Sequence, residues 1–297
     1  MKLAVFASFA LAAACGGTDA SVVGPAAEPG PGGSEATDPA GEPITGAKLT
    51  LSLKGSTEPV AHADAYAGQT PTRQIVAVRS LWLLRSADDP SPVRVADLGA
   101  RAVETDLATG ARKDIATVAL SSVPAGTYTV AKVGAAYVRY SVSARLHANG
   151  FPTDGRYDNV QALSNGASID GTTRAKGWYR FAFAVGPTEL GAVEGDGAPL
   201  PALAQGGGMT LDASGPEAFY VFPANLVVDG SLQEDMRLTC EVNVHESFRW
   251  QDLTQAGYTA KVYDTTPTTF EPVMSFGASA FSLVLTPCNA GGCQAKK

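Results

Sequence analysis

The sequence predicts an all-β protein: one or two β-sandwich domains behind an N-terminal linker. Three observations predict it. Apolar and polar residues alternate with a period of two through much of residues 44–297, Gly, Pro and Asp clusters interrupt these runs at short intervals, and no stretch beyond the first 15 residues shows helical spacing with caps.

The elements justify this in order. KLTLSLK (48–54) places Leu49, Leu51 and Leu53 on one face and Thr50 and Ser52 on the other. IVAVRSLWLLR (75–85) is apolar on both faces, as in a strand buried from two sides; its β-branched content favours strand over a short helix. A strand is read at 112–123. Pro124-Ala125-Gly126 then makes a turn into VPAGTYTVAKV, with Gly134 as a bulge or bend before AAYVRYSVSARLHA. In that run Ala136, Val138, Tyr140, Val142, Ala144 and Leu146 form a core face, and Tyr137, Arg139, Ser141, Ser143, Arg145 and His147 a polar one. Further strands are expected at 177–185, 217–228, 236–245, 258–264 and 279–286.

HANGFPTDGRYDN is rich in turn residues and suggests a boundary, giving a sandwich at 44–155 and a second β-rich domain, or an extension of the same sandwich, at 156–287. Residues 191–208 read as a long surface loop or a linker, and 288–297 as a flexible tail.

The N-terminus carries the address. Lys2 is followed by a predominantly apolar run of nine residues, Leu3 to Leu11, then by Ala12-Ala13-Ala14 and Cys15, the layout of a signal peptide over 1–14 and too short to span a bilayer. AAACGG resembles the lipobox of bacterial lipoprotein precursors, although Ala12 stands where a large aliphatic residue is usual. The resemblance implies that Cys15 is lipidated, and Gly16 after it implies the outer membrane, facing the periplasm or the surface. An ordinary secretory signal cut nearby, for instance after Ala20, is the alternative. One acyl chain binds a bilayer only marginally, whereas two or three hold stably. Residues 16–43 contain seven Gly, five Pro and five acids without Lys, Arg or an aromatic residue, a composition that cannot offset its ordering entropy. With Cys15 they read as a disordered linker, with an r.m.s. span of about 30 Å.

PAGTYTV resembles the turn and strand of prealbumin-like and carboxypeptidase-regulatory-like sandwich domains. YVRYSVSARLHANG, GWYRFAF, FRWQDLTQAGY and YDTTPTTFEPVMSFGA are similar to stretches of a group of uncharacterised bacterial lipoproteins. That similarity implies the lipoprotein context and no activity.

The chain has 22 basic and 29 acidic side chains, a net charge of −7. With 21 basic and 29 acidic residues left after the leader and five acids in the linker, the body is near −3 and shows no basic patch, which argues against nucleic-acid binding. Catalytic patterns are incomplete. His245-Glu246 opens like a zinc-protease helix, but the position four on is Arg249. GASID (166–170) and GASAF (277–281) lack the last Gly of a nucleophile elbow and read as turns or strand starts.

The acid-rich turns at Asp154/Asp158, Glu194/Asp196 and Asp229/Glu234/Asp235 match no complete calcium loop, so no cofactor is assigned, with room left for a structural calcium. Tyr137, Trp178, Tyr179, Phe219, Tyr220, Phe248 and Trp250 read mainly as core. Tyr137, on the polar face beside Arg139 and His147, hints at a binding face. Cys240 lies on an apolar strand face and is expected buried; Cys288 and Cys293 of CNAGGC are favoured to close a small disulfide ring, the alternative being a bridge from Cys240 to the tail if the tail reaches the core face.

These readings favour a lipid-anchored, non-enzymatic binding or structural module of the cell envelope, its partner an envelope protein or a glycan. The alternative is an exported polysaccharide hydrolase with dispersed acidic residues, which needs two carboxylates about 10 Å apart or closer in a cleft.

Overall fold

The structure, a computed structural model, describes residues 38–198, 209–289 and 292–293. Its strands in chain order are β1 (Lys48–Ser56), β2 (Ala67–Gln69), β3 (Arg73–Leu84), β4 (Val93–Asp97), β5 (Val103–Asp106), β6 (Arg112–Ala119) and β7 (Gly126–Ala148). There follow β8 (Phe151–Ala162), β9 (Ala167–Ile169), β10 (Thr172–Arg174), β11 (Tyr179–Val185), β12 (Thr188–Gly195), β13 (Thr210–Asp212) and β14 (Ala218–Val228). The chain closes with β15 (Met236–Asn243), β16 (Phe248–Trp250), β17 (Asp264–Thr265), β18 (Val273–Ser275), β19 (Ala280–Asn289) and β20 (Gly292–Cys293). Two 3₁₀ turns, Leu107–Thr109 and Leu120–Ser122, are the only helical pieces among the described residues.

The fold is an all-β sandwich. One sheet runs β20-β19-β15-β1-β6, with β1 parallel to β15 and its other pairings antiparallel. The facing sheet has ten strands and is organised on β7, which pairs with β14 along its first half, β8 along its second, and β3 on the opposite edge. Leu49, Leu51, Leu53, Leu238 and Cys240 of the first sheet meet Val76, Val78, Leu81, Val133 and Phe222 of the second in the main core. Fully burying such a side chain stabilises by about 1.5–3 kcal/mol relative to leaving it exposed. The alternation of KLTLSLK therefore points the expected face inward. β3 is buried from both sides, as its two apolar faces require.

Several expectations change. The break at 150–160 is a hairpin rather than a boundary: Asn149 and Gly150, both at positive φ, turn the chain from β7 into β8, and Phe151–Ala162 pairs back along β7. Position 155 thus falls inside a strand, and the second half extends the same sheet. Residues 191–195 belong to β12, hairpinned on β11. The strand expected at 258–264 is irregular chain that ends in the short β17, parallel to β7. The end of the expected linker is ordered as a turn, in which Asp38 Oδ1 accepts from the Ala40 and Glu42 N–H groups and Arg101 Nη2 donates to Pro39 O at 2.6 Å.

The irregularity expected at Gly134 is there, as one of two shifts in the β3–β7 register: Val78 faces Ala135 and Ser80 faces Gly134, so Arg79 of β3 is extra, and Ala77 and Val78 face Tyr137 and Ala135, so Ala136 of β7 is extra two residues later. The bulge at Ala136 reverses the alternation: Ala131, Val133 and Ala135 point into the main core before it, and Val138 does so after it. Gly134 is also tightly enclosed, because a Cβ there would overlap the Glu217 carboxylate and the Ser80 hydroxyl.

Candidate functional site

Two places on this framework bring a histidine together with carboxylates, and each is built by long-range pairing. The first arises where β1 and β15 end. Because the two strands are parallel, with Ser56 opposite Asn243, the chain leaves both at the same edge of the sheet. The Val244 N–H donates to Ser56 O at 2.8 Å and Asn243 Nδ2 to Glu58 O at 2.9 Å, so the 57–66 segment lies against the turn that follows β15. Asn243 Oδ1 accepts from the His245 N–H at 2.8 Å, and the Glu246 N–H donates to Thr70 Oγ1 at 2.9 Å. Glu246 takes a φ of 45°, a left-handed conformation uncommon outside glycine.

One ligand atom each from His62, His245 and Glu246 lies within 4.8 Å of the others. The two rings stack with centroids 6.2 Å apart, and His62 Nε2 stands 3.9 Å from Glu246 Oε2, beyond hydrogen-bond reach. The His62 side chain is 11% exposed, and its Nε2 is buried with no hydrogen-bond partner. Arg249, buried on β16, closes the floor: its Nε donates to Asp64 at 2.8 and 3.1 Å, Nη2 to Tyr66 O at 2.7 Å, and Nη1 to Glu246 Oε2 at 3.4 Å. Burial disfavours the Asp64 carboxylate, yet its hydrogen bonds from Arg249 and the Tyr66 N–H hold it below the usual range. The position at which a zinc-protease helix would carry its second histidine therefore neutralises carboxylates instead.

The second place is at the far end of β7. His147 Nε2 meets Asp264 Oδ1 at 2.6 Å, and Asp264, with no exposed surface, accepts from the Thr259 N–H at 2.7 Å through Oδ2. Glu271, 1% exposed, accepts from the Leu253 N–H at 2.7 Å and the Asp264 N–H at 2.8 Å. Burial pushes the Glu271 carboxyl above its ordinary value, against the pull of those two N–H groups. Tyr258 stacks on His147 at 5.2 Å, and the Tyr157 and Thr265 hydroxyls lie 2.8 Å apart. These carboxylates pin the irregular 251–272 segment to the sheet.

The residues singled out in the sequence fare differently. Tyr137 is not exposed: it is 6% accessible in a small core with Ala77, Ile169 and Trp178, because the side of β7 read as polar is roofed here by the β9–β10 hairpin. Its hydroxyl donates to Glu104 Oε1 at 2.5 Å, and burial together with that carboxylate pushes its pKa up to about 12. The suggested binding face is therefore withdrawn. Trp178, Phe248 and Trp250 are buried as well. GASID is a turn at Gly166 followed by β9, and Gly277 of GASAF is likewise a turn before β19.

The acid-rich turns do not form cages. Asp154 pairs with Arg145 at 2.6 Å and Asp158 with Arg156 at 3.0 Å, while Glu194 lies on β12. Asp229 caps the Ser231 N–H at 2.9 Å and Asp235 the Lys48 N–H at 2.8 Å. Cys240 is buried and free, and burial pushes its thiol up to about 12. Cys288 and Cys293 stand directly opposite one another in the β19–β20 pairing. Cys15 and the Cys293 side chain lie outside the described residues. Compared with protein-family models, curated proteins and solved structures, the chain matches none.

Proposed function

We propose that this chain is a lipid-anchored protein of the cell envelope, most consistent with the outer membrane, whose sandwich is a non-enzymatic binding or structural module for an envelope protein or a glycan. The observation that carries this reading is how the acidic side chains are used. Asp64, Asp154, Asp158, Asp170 and Glu189 each face an arginine, and Asp264 and Glu271 are held by backbone N–H groups. A hydrolase pair instead needs one acid and one base that face a substrate cleft. The anchor rests on the layout of residues 1–15, and a disulfide between Cys288 and Cys293 is supported by their opposed positions.

Cys15→Ala should abolish acyl labelling and release the chain from the membrane fraction; a variant that keeps an acyl chain would overturn the anchor. The released full-length chain, offered to envelope extracts and a glycan array, should retain a specific partner and hydrolyse none of the glycans. Turnover of any glycan would replace the binding reading with the hydrolase. For the disulfide, peptide mapping should find 288 cross-linked to 293 and Cys240 alkylated only after unfolding.

A further inference from the structure

We propose that His62, His245 and Glu246 form a binding site for a divalent transition-metal ion, Zn²⁺ by its ligand chemistry. Two imidazoles and one carboxylate are the donor set that zinc accepts, with a fourth tetrahedral position left for water or a partner's side chain. The ring of His62 is held in a buried place with its Nε2 unpaired, a costly arrangement for a polar atom unless a ligand satisfies it. The three ligand atoms are already within 4.8 Å of one another although His62 and His245 come from opposite ends of the chain. Bonds of roughly 2.0–2.1 Å to a tetrahedral ion place ligand atoms about 3.3 Å apart. The ligand atoms, up to 4.8 Å apart, must therefore draw together by as much as about 1.5 Å on binding, a movement in which the half-exposed Glu246 side chain takes part.

His245 shows what else binding would change. The Val60 N–H points at its Nδ1 from 3.4 Å, near the limit of a hydrogen bond. Ligation through Nδ1 displaces that bond, and ligation through Nε2 moves the ring proton to Nδ1; either way a weak contact is exchanged for a metal bond. Arg249 gives its shorter hydrogen bonds to Asp64, at 2.8 and 3.1 Å through Nε, and reaches Glu246 Oε2 only at 3.4 Å. Hard cations that demand six or more oxygens find one carboxylate among the three ligands, the nearby Asp64 being taken up by Arg249, so Ca²⁺ and Mg²⁺ should not compete.

The test is titration of the full chain, purified in detergent without a polyhistidine tag and with chelator removed, with Zn²⁺ followed by calorimetry and by metal analysis after gel filtration. One Zn²⁺ per chain is expected. His62→Ala and His245→Ala should each weaken binding about 100-fold or more, and Glu246→Gln about tenfold. His147→Gln, which changes the third histidine of the chain, should bind like wild type, and circular dichroism of each variant separates lost ligation from lost folding. A folded wild type that takes up no Zn²⁺ at 100-fold molar excess overturns the site, as does wild-type affinity in the folded His62 and His245 variants. Ca²⁺ displacing Zn²⁺ would overturn the choice of metal.

Discussion

The His147 and His62 clusters use the same kinds of residue to opposite ends. At His147 the carboxylate oxygens of Asp264 and Glu271 are each met by a donor, the ring is held between Asp264 and Tyr258, and the result fastens an irregular segment to β7. At His62 the backbone is just as carefully fixed, through Asn243, Thr70 and Ser56, yet a ring nitrogen is left buried and unmatched. Satisfaction of polar atoms, more than residue identity, distinguishes a structural pin from a receptive site.

That contrast can be broken by measurement. The largest expected effect is at Asp264. Asp264→Ala removes the acceptor of His147 and of the Thr259 N–H and should lower stability by about 3 kcal/mol in urea denaturation; a change under 1 kcal/mol would show the network to be dispensable. Glu271→Gln comes next, at about 2 kcal/mol near pH 4, since one of two backbone donors loses its acceptor. Its pH dependence has a definite sign. The carboxyl is raised above the ordinary 4.5 in the folded chain, so its contribution is fully present below that value and is lost as pH rises through the folded one. The variant does not ionise there, so its deficit relative to wild type should shrink as pH rises from 4.5 upward. A deficit that grows instead would mean the folded carboxyl is held low.

His147→Ala should cost about 1–2 kcal/mol, read as a fall in Tm. The smallest effect belongs to the other cluster: without metal, His62→Leu should change stability by less than about 0.5 kcal/mol, or raise it, because it removes an unmatched nitrogen. A loss as large as that at Asp264 would make the two clusters equivalent and erase the distinction.

Much of the framework was legible because a period of two states which face of a strand is apolar. β1, β11, β14 and β15 lie close to their expected bounds for that reason, and β3, apolar on both faces, because its β-branched content favours strand. β8 was missed because Pro152, Asp154 and Gly155 resemble a turn. In the fold the strand is viable because Arg145 neutralises Asp154, and Gly155 makes room for the Ala184 carbonyl and the Phe183 ring. Tyr137 was misplaced because alternation cannot tell water from a covering hairpin. The His62 cluster was invisible in the sequence for a different reason: it depends on the parallel pairing of β1 with β15, which no local pattern announces. The one available signal was His245-Glu246 just after a strand, and it gains meaning only once His62 arrives from the other end of the chain.

The position of β1 has a mechanical consequence. It is the first strand among the described residues yet lies inside its sheet, with β6 along one edge and β15 along the other, and the Lys48 N–H is tied to Asp235 where it begins. A pull along the axis of β1 loads the hydrogen bonds of both edges together, in shear. A strand on the rim, such as β12, would instead peel away one bond at a time. A body suspended from this end is therefore hung by an inner strand that must slide past two neighbours before it yields.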